Sequence, residues 1–285
     1  MNTYPKVFAI VLNYNGRDVL LPCLDSLYKS DYPNLEIVVV DNNSKDGSLE
    51  DAREKFPRFH FIKNSENIGF GAGNNVAIRF ALEKMADYVF LLNNDATVEP
   101  DTISNLVAEA EKDGESGILS PIIFTPDKNV WFAGGKIIWK KMRTAHIFKP
   151  FSDSPYETAY VSGCAMLVKK DVFKKIGLFD EDFFLYYEDA DFSWRAKKAG
   201  FELKMVPDAI AYHCEKSETK NPAKLYWLVI SGLIFFKKNA TGWKKLRVSF
   251  YLTLRKIKNF FDVKFRPSPE AMEVRRAYRN YKKFL

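Results

Sequence analysis

Apolar runs that stop abruptly at polar turns recur along the first two hundred residues of this chain. Residues 7–12 end at Asn13-Tyr14-Asn15-Gly16, residues 36–40 at Asp41, and residues 88–92 at Asn93-Asn94-Asp95. Residues 59–62 form a further run. Short apolar runs bounded by turn residues predict buried strands. Between them, apolar positions recur at helical spacing. Leu20, Leu24, Leu27 and Tyr28 make one stripe, with Pro22 tolerable only near that helix's start. A second helix is expected near Asp46–Ser48, where Asp and Ser side chains can cap it. Residues 67–75, NIGFGAGNN, predict a glycine-rich turn leading into a helix with Val76, Phe80 and Met85 inward. Asp101 opens another, with Ile103, Leu106, Val107 and Ala110 inward. The alternation predicts an α/β protein with a doubly wound, mostly parallel sheet.

Past Gly117 the pattern loosens. Short strands around 118–124, 130–139, 144–148 and 160–168 predict an antiparallel or mixed extension. A helix over 189–199 should stop at Gly200, a good residue to end it. Strands over 202–205 and 209–212 follow, and then His213. No internal repeat is present.

Composition sharpens this picture in two places. Hydrophobic residues at 47% and charged residues at 28% describe a globular chain. Cys23, Cys164 and Cys214 are odd in number and far apart, with no CxxC pair, which argues against a disulfide framework or a zinc cluster and fits a reducing cytoplasm. The N-terminal apolar run is too short for a secretory signal. The net charge of +7 hides a division. Residues 1–215 hold 25 Lys+Arg and 32 Asp+Glu, whereas 216–285 hold 18 and 4. A boundary is therefore expected there, between a motif-bearing domain over 1–215 and a basic, aromatic helical extension over 216–285.

Candidate chemistry gathers at the strand ends, where open α/β sheets bind ligands. Asp41 could accept hydrogen bonds from a ribose hydroxyl or a base N–H, though DNNSKDGS is equally good turn chemistry. The glycines of NIGFGAGNN could let backbone approach a nucleotide or simply pack a helix on the sheet. Their G-x-G-x-G spacing after the third strand is not a dinucleotide fingerprint. Asp95 is either a turn former or an oxygen ligand for a hard divalent cation. His213 is either structural or a ligand to the same ion. Glu188, Asp189 and Asp191 cluster at a helix start behind Phe183, Phe184, Tyr186 and Tyr187. They are acids favouring the helix dipole, or a general base pressed against an aromatic wall.

Three segments together, DNNSKDGS, VFLLNNDATVEPD and YYEDADFSWRAKKAG, resemble the family 2 glycosyltransferases in order and spacing over about residues 5–215. The resemblance implies a GT-A fold: a Rossmann-like mixed sheet flanked by helices. It implies that Asp41 contacts the nucleotide, with Asn13 and Tyr14 alongside and Asn67 and Gly69 nearby. Asn93-Asn94-Asp95 occupies the family's D-x-D position, with Asn93 replacing the first Asp. That leaves Asp95 as the anionic ligand for Mg²⁺ or Mn²⁺, His213 as a second ligand, and Asn93 and Asn94 as sugar or ribose contacts. By the same resemblance Asp189 is the catalytic base and Glu188 positions the acceptor, with Asp191 and Arg195 supporting the helix start. Ser162-Gly163-Cys164 resembles an acceptor-side loop.

The implied activity is inverting transfer of a sugar from a nucleoside diphosphate, of TDP or UDP type, to a glycan or lipid-linked hydroxyl. The overall look is closest to rhamnosyltransferase-like members of bacterial surface-polysaccharide pathways. Two alternatives remain: a sugar-1-phosphate nucleotidyltransferase, and a non-catalytic membrane-binding protein on a transferase-like domain. The first would want a phosphate loop after the first strand, and NYNGRDVLLPCL is a poor one. In the extension, the apolar run 225–236 has 12 residues, short of the ~20 that span a bilayer. A basic amphipathic helix on the inner face of the cell membrane, a subdomain packed on the core, and a homodimer contact all fit. No nucleic-acid recognition motif is present.

Overall fold

A computed structural model describes residues 4–112, 114–214 and 222–281, the side chain of Ala223 excepted. The expected boundary at 215/216 lies outside the described residues. The first half follows the apolar pattern closely. Strands β1 (Val7–Asn13), β2 (Leu35–Asp41), β3 (His60–Lys63) and β4 (Tyr88–Asn93) alternate with helices α1 (Leu20–Tyr28), α2 (Ser48–Lys55) and α3 (Phe70–Glu83). Pro22 sits in the first turn of α1, where its missing N–H costs nothing. Asp46 accepts hydrogen bonds from the Ser48 amide at 3.1 Å and the Arg17 amide at 2.9 Å, which fixes the entry to α2.

Next come β5 (Ala96–Val98), α4 (Thr102–Ala110), β6 (Ser116–Phe124), β7 (Val130–Phe132), β8 (Gly135–Ile138), β9 (Arg143–His146), β10 (Tyr156–Glu157) and β11 (Ala165–Lys169). Then follow α5 (Lys170–Ile176), α6 (Glu188–Lys198), β12 (Glu202–His213), α7 (Pro222–Asn239), α8 (Trp243–Phe265) and α9 (Pro269–Asn280). The main sheet runs β10-β12-β6-β11-β4-β1-β2-β3, with β5 and β7 added at its margins. β1, β2, β3 and β4 are parallel, whereas β11 lies antiparallel between β4 and β6. The sheet is therefore mixed, as expected.

Several local expectations are corrected. The glycine-rich segment is mostly helix: Phe70 to Asn75 form the first turns of α3. Its buried face is Asn74, Ala77, Ile78 and Ala81, while Val76 and Phe80 are half-buried. Met85 lies beyond the helix at φ 63° and is 77% exposed. The expected strand over 160–168 begins only at Ala165, and the last two expected strands are one, β12, with an irregular register between Val206 and Ile210.

Side chains alternate across β1, so the sheet carries a core on each face. Phe8 and Ile10 meet α3 through Ala77, Ile78 and Ala81 on one face. Val7, Ala9 and Val11 share the other with Leu20, Leu24, Leu106 and, from α7, Ile230, Phe235 and Phe236. The first apolar run of the basic extension is thus part of the core.

Candidate active site

β1, β2 and β4 end together, with Asn13 opposite Asp41 and Leu12 opposite Asn93 in register. Asn13 and Asp41 are both fully buried. The Asn13 amide reaches Asp41 Oδ1 at 2.9 Å and Ser48 Oγ at 2.8 Å, and the Ser44 amide donates to Asp41 Oδ2 at 2.9 Å. The Asn94 amide donates back to Asn13 Oδ1 at 3.1 Å. Gly16 is required beside this network, because a Cβ there would stand 2.4 Å from Asn94 Nδ2. As placed, Asn13 and Asp41 support the strand-end loops from beneath and present no surface to a ligand.

Above them lies a cavity of about 350 Å³ whose wall includes Tyr14, Asn42, Asn67, Gly69, Asn93, Asn94 and Asp95. Asn42 donates to Asn67 Oδ1 at 3.2 Å and to the Gly69 carbonyl at 3.0 Å. Gly69 has φ +89°, and a Cβ on it would fall 2.5 Å from the Phe184 carbonyl oxygen. Its absence of a side chain lets the 67–70 loop close onto the segment that leads to the acids. The opposite wall comes from Phe184, Leu185, Lys224 and Trp227. Phe184 and Trp227 stack at 4.3 Å, a flat apolar platform.

Asp95 and His213 converge at one edge of this cavity, because β5 pairs with the end of β12 and sets Ala96 opposite His213. His213 Nε2 lies 3.2 Å from Asp95 Oδ1, within ion-pair reach. The two are not aligned as donor and acceptor, however, and Asp95 Oδ1 is buried without a hydrogen-bond partner, as are Asn93 Oδ1 and His213 Nδ1. Burial pushes the Asp95 carboxyl up, but the His213 ring and, less strongly, Lys224 more than offset that and hold it below its ordinary value. Two side chains presenting lone pairs to one point, with an orphaned oxygen, suit a divalent cation. Among the described residues no cluster of three His, Cys, Asp or Glu could hold a metal unaided. A pair is what such a cation takes when substrate phosphates complete its shell. The residues present fit the ion.

The acids stand on the other side of the 67–70 loop. Tyr186 and Tyr187 occupy left-handed backbone at φ 68° and 67°, unusual for bulky side chains and a local strain ahead of α6. The turn is held by aromatic packing of Tyr187 on Phe235 and by the Ser231 hydroxyl, which donates to the Leu185 carbonyl at 2.7 Å. Asp189 Oδ2 accepts from the Gly163 amide at 3.0 Å and Oδ1 from the Ala190 amide at 2.7 Å. Burial pushes the Asp189 carboxyl up, and these amides together with His146 only partly pull it back. Glu188 is pushed well above its ordinary value, first by burial and then by the Asp189 charge, and its Oε2 has no partner. Behind them Asp191 accepts from Arg195 at 2.7 Å and from Asn239 at 2.8 Å, which ties α6 to α7. The supporting role expected of Asp191 and Arg195 matches this geometry.

The geometry thus gathers Tyr14, Asn67, Gly69, Asn93, Asn94 and Asp95 around one cavity, with His213 against Asp95, Asn13 and Asp41 beneath the cavity and Glu188 and Asp189 beside it. The sequence reading missed Gly16, Lys224, Trp227 and the platform role of Phe184. Only the charge of Lys224 could have flagged any of the α7 contributors, and nothing in a linear pattern distinguishes it from other extension lysines.

The description "Glycosyl transferase family 2" matches residues 8–177. The chain belongs to glycosyl transferase family 2. The match covers more than half of the chain and spans the cavity residues from Tyr14 to Asp95, but it stops before Phe184, Leu185, Glu188, Asp189, His213, Lys224 and Trp227. Among curated relatives, the N-acetylglucosaminyl-diphospho-decaprenol L-rhamnosyltransferase of Mycobacterium tuberculosis is 28% identical over 262 residues, covering 82% of this chain and 85% of that one. The dTDP-rhamnosyl transferase RfbF of Shigella flexneri is 24% identical over 245 residues, covering 82% and 81%. Among solved structures, GalNAc-T7 with UDP, GalNAc and Mn²⁺ superposes with a TM-score of 0.67 at 17% identity, over 94% of this chain and 59% of that longer one. The mannosyltransferase PcManGT of Pyrobaculum calidifontis, in complex with GDP-Man and Mn²⁺, gives 0.64 at 17% identity over 99% and 88%. The expected family, GT-A fold and glycosyltransferase class all stand, and the nucleotidyltransferase alternative gives way to them.

Proposed function

We propose that this family 2 glycosyltransferase moves one sugar, rhamnose being the donor that its relatives' names favour, from a nucleoside diphosphate to a hydroxyl of a lipid-linked acceptor, with inversion. The observation that carries the reading is the pairing, across one short loop, of two unlike groups. One is Asp95 with an orphaned oxygen beside His213; the other is the half-buried base candidate Asp189. Asp95 and His213 would hold a divalent cation, Mg²⁺ or Mn²⁺, which when bound neutralises charge on the diphosphate. Lys224 faces the same cavity and offers a second positive charge to the departing nucleoside diphosphate. Asn93 and Asn94 present amide groups to the sugar or ribose, and the Phe184–Trp227 platform supplies apolar surface. On the acceptor side Asp189 takes the proton of the attacking hydroxyl. The new bond forms at the anomeric carbon as its bond to the phosphate oxygen breaks, and the electron pair leaves with the diphosphate.

Calorimetry with dTDP, UDP and GDP, with and without Mn²⁺, tests the donor side. One nucleotide should bind more tightly with metal, and Asp95→Ala should remove that difference while leaving metal-free affinity in place. Affinity indifferent to metal in both proteins would defeat the assignment.

For location, we propose the inner face of the cell membrane. Among the described residues no helix is long and apolar enough to cross a membrane. Along α8, however, Trp243, Leu246, Phe250, Leu254, Ile257, Phe261 and Phe265 are all exposed at steps of three and four, a continuous apolar stripe. Lysines and arginines flank it, suiting an anionic bilayer surface. Sedimentation with phosphatidylglycerol vesicles should capture the protein at low salt; failure there would leave the stripe to a second copy of the chain.

A further inference from the structure

A second cavity, larger than the donor pocket, stands apart from it. It encloses about 630 Å³ between the β8–β9 hairpin and helices α7, α8 and α9, and none of its lining belongs to the donor cavity. Its wall is of two kinds. Leu225, Leu228 and Val229 of α7 and Val274 of α9 make one part apolar. Arg143 from β9, Arg255 and Lys258 from α8, and Arg266 just beyond α8 bring four cations from three places in the chain. Lys258 alone of these pairs with a carboxylate among the described residues, Asp262, at 3.9 Å. Among the described residues Asp262 and Glu270 are the acids in the wall, against four cations, so the lining keeps a positive balance.

Two connections give this cavity a place in the reaction. Tyr187, which immediately precedes Glu188 and Asp189, forms part of its wall, as does Thr144. Gly232 opposite leaves room for the Tyr187 ring, which a Cβ would meet at 3.2 Å. The Tyr187 phenol and that of neighbouring Tyr160 are both held up, first by burial and further by the Asp189 charge. On the other side, the 3.6-residue period puts Arg255 and Asn259 roughly a quarter to a half turn round α8 from its exposed apolar stripe. The cavity thus lies between the base and the face proposed to rest on lipid.

We propose that this cavity binds the phosphate-bearing end of an amphiphilic acceptor, its phosphates on Arg143, Arg255, Lys258 and Arg266 and its first chain carbons on the α7 leucines. Guanidinium groups suit this task, since each can offer a planar pair of N–H donors to a phosphate. The volume is within the range of small-ligand sites and holds a diphosphate with a short stretch of chain, not a whole lipid. The remaining chain would pass toward the α8 stripe. The acceptor identity rests on reading Asp189 as the base, but the binding itself does not.

The test is titration of the full-length protein with farnesyl diphosphate, inorganic diphosphate and farnesol, in EDTA so that no metal recruits the probe to Asp95. Farnesyl diphosphate should bind at least tenfold more tightly than either fragment. Arg255→Gln combined with Arg266→Gln, both exposed positions whose change should leave Tm in place, should weaken it at least tenfold and leave farnesol unaffected. Asp189→Asn should bind it as wild type does, so loss of turnover in that variant reports on the base and not on this cavity. Wild-type affinity in the double variant would overturn the proposal. So would inorganic diphosphate binding as tightly as the farnesyl compound, which would mark a free-anion site, or loss of binding in Asp95→Ala, which would place the probe in the donor pocket. Should the double variant misfold, Lys258→Gln alone must still weaken farnesyl diphosphate by several-fold.

Discussion

The two sides of the site are built by opposite means. Beneath the donor cavity, Asn13, Asp41, Ser44, Ser48 and Asn94 satisfy one another by hydrogen bonds, and a single carboxylate sits among uncharged amides. On the acceptor side two carboxylates are adjacent, Glu188 buried and Asp189 half-buried, one oxygen has no partner, and two tyrosines hold left-handed backbone in front of them. A satisfied buried network is rigid and stabilising, whereas a half-satisfied one costs stability. The difference matches the tasks. As proposed, the donor side holds a fixed shape for a nucleotide, and the acceptor side holds a carboxyl whose proton affinity is raised enough to serve as a base.

That comparison can be broken by mutation. Asp41→Ala should cost about 2–4 kcal/mol in chemical denaturation, because it leaves the Ser44 N–H without its partner in a dry site and removes one acceptor of the Asn13 amide. A loss under about 0.5 kcal/mol would mean the network is no support. Gly69→Ala should cost roughly 2–3 kcal/mol through the φ of +89° and the clash with the Phe184 carbonyl. If it melts like wild type, the 67–70 loop is not held as described. Glu188→Gln should act in the other direction. The folded-state carboxyl is raised above its ordinary 4.5, so its contribution is fully present below that pH and is lost as pH rises through the folded value. As pH rises above that value the wild type should lose stability relative to Glu188→Gln, by about 1 kcal/mol or more. Parallel stability–pH curves for the two proteins would show that Glu188 is not destabilised by its site.

The donor side was more legible in the sequence than the acceptor side, for physical reasons. Apolar runs broken by Asn13, Asp41 and Asn93 mark strand ends directly, since burial and the switch to turn chemistry both leave a linear signature. The inward face of α3 was misjudged because Gly71, Gly73, Asn74 and Asn75, which carry no hydropathy signal, are buried ahead of Ala77, Ile78 and Ala81, while hydrophobic Met85 falls after the helix has ended. The full burial of Asp41 is equally invisible, because a polar turn and a polar network look alike in one dimension. Lys224 and Trp227 join Asn93 only through the docking of α7, more than a hundred residues later. The acids of α6 were legible as a cluster behind aromatics, but their raised proton affinity comes from burial and, for Glu188, from the Asp189 charge, in a turn and helix that Phe235, Ser231 and Asn239 of the extension hold in place.

The account stands most directly on one measurement: steady-state transfer and donor affinity in Asp189→Asn. The amide keeps the shape and the hydrogen bond from Gly163 but cannot take the acceptor proton. Turnover should fall by roughly 10²–10⁴, while the affinity for the nucleoside diphosphate, with and without metal, stays within about twofold of wild type. Transfer at near wild-type rate would place the base elsewhere, with Glu188 the next group to change.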